Sequence, residues 1–67
     1  MINQPDFIIL TSFRSGESIA IIVSKIEAIE EAEYDAASNV IMDSGTKYYV
    51  RESVPEITKI LLARSNS

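Results

Sequence analysis

Ser24-Lys25-Ile26-Glu27-Ala28-Ile29-Glu30-Glu31-Ala32-Glu33-Tyr34-Asp35-Ala36-Ala37 decides the architecture, because its local chemistry and its place in the chain pull it in different directions. Ser24 with Glu27 three residues on fits a capping box, and the stretch is rich in the good helix formers Ala and Glu. Ile22, Ile26, Ile29 and Ala36 fall near one helical face. Read as a strand, it puts Ile26, Ala28, Ala32 and Tyr34 on one side and Glu27, Ile29, Glu31 and Glu33 on the other. Glu30 then breaks the alternation and marks a candidate bulge. Propensity alone favours the helix.

Both flanks read as hairpins. Upstream, Phe7-Ile8-Ile9-Leu10 continues as Thr11-Ser12-Phe13, the turn Arg14-Ser15-Gly16-Glu17 follows, and Ile19-Ala20-Ile21-Ile22-Val23 returns. Downstream, Val40-Ile41-Met42-Asp43 and Lys47-Tyr48-Tyr49-Val50-Arg51 surround the turn Asp43-Ser44-Gly45-Thr46. Ser53 then caps a helix that Glu56 closes with a capping box and Pro55 enters in its first turn. That helix is expected to run to about Arg64 with Val54, Ile57, Ile60 and Leu61 on its buried face. Residues 1–5 and 65–67 are expected to fray, leaving residues 1–67 as a single small domain.

The chain has 67 residues, a formal charge of −4, 46% hydrophobic and 24% charged residues, and neither Cys nor His. It is therefore globular rather than disordered. Without Cys there is no disulfide framework, zinc finger or thiol nucleophile; without His the commonest general base and metal ligand are gone. An enzyme, a metal site and a cofactor are not expected. The acidic balance is opposite to the footprint of a nucleic-acid binder, so nucleic acid is not expected as a partner. No apolar run reaches the length of a membrane span, and no basic region precedes the first one, so the chain reads as cytoplasmic with an intact start.

Ile26-Glu27-Ala28-Ile29-Glu30, then Ser44-Gly45, Lys47-Tyr48-Tyr49-Val50 and Glu52-Ser53, in that order, resemble the small flagellar FlbD family of swarming-motility proteins over roughly residues 7 to 62. Ser44-Gly45 stands where the family has Asn-Gly, the first turn is longer by about a residue, and the stretch from Ile29 to Gly45 is longer by about three. The layout also occurs in small phage and mobile-element proteins. A weaker likeness to LytTR DNA-binding domains lacks their basic loops and longer C-terminal region. The residues themselves read as α+β, two hairpins with one C-terminal amphipathic helix; the FlbD resemblance adds a linking strand, making about five antiparallel strands in a strongly curved sheet. On that analogy Val23 to Ile26 is a tight turn, Glu27 to Tyr34 a strand and Asp35 to Ser38 a hairpin loop. It also implies a non-enzymatic protein–protein interaction module supporting flagellar motility. The alternative is a phage or mobile-element regulator associated with nucleic acid.

Phe7 to Leu10 and Ile19 to Val23 are apolar at both parities, which is how strands covered on two sides read. One short helix covers one side. Either the sheet closes on itself or Ile8, Leu10, Ile22 and Ile41 form a self-association surface, making the chain a homo-oligomer. A second candidate surface, for docking an unidentified protein, combines Glu27, Glu31 and Glu33 of the acidic run with Lys47, Tyr49 and Arg51, which alternate on one strand face. The alternative for both charge sets is a solvated outer face.

Overall fold

The computed structural model describes residues 6–34 and 36–64. Its elements run β1 (Phe7–Thr11), β2 (Ser18–Ile22), a 3-10 turn (Val23–Lys25), β3 (Ile26–Glu31), β4 (Ser38–Met42), β5 (Lys47–Val50) and α1 (Val54–Arg64). The fold is α+β, with five antiparallel strands in two sheets, β1-β2 and β3-β4-β5. The expected frayed ends and Asp35 of the expected loop lie outside the described residues.

Both hairpins turn at glycine because each turn needs a positive φ, +75° at Gly16 and +93° at Gly45. Around Gly16 the Ser12 N–H donates to the Glu17 carbonyl (2.8 Å), and the Gly16 N–H to the Ser12 carbonyl (3.0 Å). The register then pairs Phe7 with Ile22, Ile9 with Ala20 and Thr11 with Ser18.

The contested stretch is a strand. It begins at Ile26 and ends at Glu31, shorter than the expected span to Tyr34. Its bulge falls between Ile26 and Ala28, not at Glu30. The extra residue there lets both Ile26 and Ile29 pack on the core, although three residues apart they could not share a regular strand face. Helix propensity loses because these two side chains are needed inside, and the 3-10 turn delivers them: the Lys25 carbonyl accepts the Asp43 N–H at 2.7 Å.

The sheets meet where β1 runs out past β5. Ser12 and Val50 form an isolated antiparallel bridge, flanked by Phe13 N–H to Tyr49 carbonyl and Arg51 N–H to Thr11 carbonyl, both 2.9 Å. Glu52 reinforces this joint. Thr11 donates its backbone N–H to one carboxylate oxygen of Glu52 (2.9 Å) and its hydroxyl to the other (2.8 Å).

Between the sheets and α1 lies one core of Ile8, Leu10, Ile21, Val40, Met42, Val50 and Ile57, with Ile60, Leu61 and Tyr48 packed around it. Ile57 is the helix residue buried outright, and burying such a side chain contributes roughly 1.5–3 kcal/mol. The expected capping box forms: Glu56 N–H donates to the Ser53 hydroxyl, and Ser53 N–H returns to the Glu56 carboxylate, each at 3.2 Å. At the other end Arg64 grips Asp6 with two guanidinium nitrogens, one of them at 2.9 Å. Ser38 is fully buried between strands and its hydroxyl has no hydrogen-bond partner.

Two outcomes are expected. Burial pushes the Glu52 carboxyl upward, but the Thr11 N–H and hydroxyl, its own N–H and the Arg51 charge outweigh it, and the group is held below its ordinary value. A lowered folded-state value stabilises the protein above the ordinary carboxylate range, and that contribution is lost as pH falls through the folded-state value. Glu52→Gln should therefore lower the melting temperature at neutral pH and flatten its decline on acidification; an unchanged acid profile would remove Glu52 from the joint. Ser38→Ala removes a hydroxyl that is buried and unpaired, so it should leave stability unchanged or raise it by up to about 1 kcal/mol in denaturant unfolding. A loss larger than that would mean the hydroxyl is bonded.

Candidate functional site

The first candidate surface lies on the outer side of β1-β2. Alternate residues of a strand point to opposite faces, so the paired rows separate cleanly. Ile8 and Ile21 face the core, as does Leu10 with half-buried Ile19. Phe7, Ile9, Ala20 and Ile22 face outward. This corrects the expected surface: Ile8 and Leu10 are 4% and 0% exposed, whereas Phe7 and Ile9 are 49% and 53% exposed. Ile22 does belong to the outer row and is half-buried. Ile41 is half-buried on the other sheet, opposite Ala28 and Lys47, and does not join it.

The parity was readable through β2. Ser18 and Ala20, its least apolar members, share the parity of Ile22, and the Gly16 turn pairs that row with Thr11, Ile9 and Phe7. The run Phe7 to Leu10 taken by itself carries no such mark.

The second candidate surface is an open groove of about 470 Å³ lined by Arg14, Ala32, Glu33, Tyr34, Asn39, Lys47 and Tyr49. β4 and β5 position it: Asn39 pairs with Tyr49, so both stand on one face, two residues along from Lys47. The Tyr49 ring rests on Phe13 with centroids 4.6 Å apart, which fixes its plane. Tyr34 is 88% exposed. Arg14 and Tyr34 come from loops and were not among the expected docking residues; an Arg within a hairpin turn is the only signal the sequence offers for the first of them.

The expected docking residues do not form one surface. Lys47, Tyr49 and Glu33 meet in the groove. Arg51 lies beyond the end of β5, where its guanidinium reaches the Phe13 carbonyl from two nitrogens at 3.4 Å. Glu27 sits exposed at the bulge. Glu31 lines a separate hollow of about 320 Å³ beside Ser53, Val54 and Pro55 at the start of α1. The bulge and the end of β3 at Glu31 scatter what a continuous strand would have aligned.

Chemically, the groove offers two cations, one carboxylate, one amide and two phenol rings, a mixture suited to non-covalent docking. Among the described residues no three carboxylates gather as a cation site, and no helix is long and apolar enough to cross a membrane. Because Glu31 and Glu33 are exposed, Glu31→Gln combined with Glu33→Gln should change unfolding free energy by less than about 0.5 kcal/mol. A loss above about 2 kcal/mol would show that the carboxylates hold buried partners. Comparison of the chain with protein-family models, with curated proteins and with solved structures finds no match.

Proposed function

We propose that this chain is a non-enzymatic cytoplasmic interaction module that self-associates through its first hairpin and docks a protein partner in the groove of its second sheet. The observation that carries the reading is the outward row Phe7, Ile9, Ala20 and Ile22, of which Phe7 and Ile9 are left half-exposed because the one helix among the described residues covers the other face. Fully burying one such side chain is worth roughly 1.5–3 kcal/mol, and in a domain whose net stability is only several times that, a second subunit is the simplest cover. A two-fold axis lets one patch serve both copies. By its resemblance to the FlbD family, the module would support flagellar motility.

A second reading, a phage or mobile-element regulator on nucleic acid, draws support from Arg14 and Lys47 beside Tyr34 and Tyr49, since stacking rings flanked by cations suit a single strand. The net charge of −4 opposes it. Sedimentation separates the outcomes. The wild-type chain should run heavier than one copy at micromolar concentration, and Ile22→Glu should be folded but lighter, because it puts an unpaired charge into the interface. A wild-type monomer would overturn self-association, and salt-sensitive retardation of single-stranded DNA would favour the regulator.

A further inference from the structure

The hydrogen-bond pattern of the first hairpin fixes which backbone groups of β2 are used. Glu17 and Val23 bond back to β1 and its flank, at 2.8 and 2.9 Å. In an antiparallel pair the bonded residues alternate, so Ile19 and Ile21 also point their N–H and C=O groups at β1. Ser18, Ala20 and Ile22 therefore point theirs away. Among the described residues no strand pairs with that edge, because β2 has β1 as its one neighbour.

Lateral strand edges are normally blocked by charge, proline or a bulge. The outer edge of the second sheet follows that rule: β3 carries Glu27, Glu30 and Glu31 and is bulged between Ile26 and Ala28. β2 has none of these devices. Ser18-Ile19-Ala20-Ile21-Ile22 is free of charge and of proline, so the edge it presents is open.

We infer that two copies of this chain join edge to edge, β2 against β2, antiparallel about a two-fold axis through Ala20. The inference rests on the self-association reading and names its geometry. Ala20 then faces Ala20, and Ser18 of each copy faces Ile22 of the other, so every outward N–H of the strand meets a carbonyl; that of Ile22, which also opens the 3-10 turn, offers its second lone pair. The strand is self-complementary in this register. Its smallest side chain sits at the centre, where identical residues must face each other. The first charged residue on its N-terminal side, Glu17, falls opposite Val23 rather than opposite another acid. The acidic run lies on the other sheet and in the loop after it, so it is not part of the seam. Joining turns two ribbons into one four-stranded sheet and sets the two outward apolar rows side by side.

Amide hydrogen exchange on the wild-type protein, read residue by residue across a dilution series, tests this together with sedimentation. The amides of Ile19, Ile21 and Val23 should be protected at every concentration, since they bond within the hairpin. Those of Ser18, Ala20 and Ile22 should be protected at least tenfold when the protein is concentrated and lose that protection on dilution, in step with a fall from the mass of two chains to one. Ala20→Pro removes an amide that points away from β1, so the hairpin amides should stay protected while the mass falls to one chain. A dimer whose Ser18, Ala20 and Ile22 amides exchange freely would overturn the edge pairing and leave self-association standing. A monomer at all concentrations would overturn both. An assembly larger than two, or an Ala20→Pro chain that still dimerises, would overturn the two-fold edge.

Discussion

The joint between Thr11 and Glu52 holds this protein together. Neither sheet could survive alone: one has two strands, and the other needs its inner face covered. What brings them into contact is a short stretch in which Thr11, Ser12 and Phe13 run beside Tyr49, Val50 and Arg51, with a carboxylate bonded to both donors of Thr11. Charge-assisted bonds of this kind are about twice as strong as neutral ones. Here they act between residues 41 positions apart, and therefore fix topology as well as local shape. The core around Leu10 and Val50, both fully buried, lies on either side of that contact.

How much of this was legible depended on whether a residue's role was set locally. Gly16, Gly45 and the Ser53–Glu56 box each answer to a backbone requirement within four residues, and all three did what the sequence implied. The stretch from Ser24 to Ala37 was ambiguous because its reason for being a strand is remote: it must pair with Val40, Ile41 and Met42 and supply two isoleucines to the core. Helix propensity there is a few tenths of a kcal/mol per residue, and it is opposed together by the strand pairing along β3 and the partial burial of both isoleucines. Glu52 was visible as half of a Glu-Ser pair, but nothing nearby in sequence points to Thr11.

The surfaces were less legible than the fold for a related reason. A run such as Phe7 to Leu10, apolar at every position, names two possible outer rows and chooses neither. The choice is made by the partner strand, whose Ser18 and Ala20 are tolerable outside and wasteful inside. The acidic stretch misled differently. Strand alternation would have aligned Glu27, Glu31 and Glu33, but one bulge and an early strand end send them to three separate places. Backbone irregularities of a single residue thus decide which charges act together, and they leave little trace in composition.

The grip of Arg64 on Asp6 has a consequence for how the chain could be rewired. It brings the last turn of the helix against the residue that precedes the first strand, so positions 6 and 64 are neighbours in space. A short flexible linker could span them, and new ends could be opened at the exposed turn around Ser44 and Gly45, where a built Cβ would meet nothing within 4 Å. In such a circular permutant Glu52 and Thr11 would be separated only by α1, the linker and β1, so a joint that now spans 41 positions would become a local one. β5 and α1 would be synthesised first and β3 and β4 last, so the second sheet would close only as the chain ends, with the native pairing scheme kept.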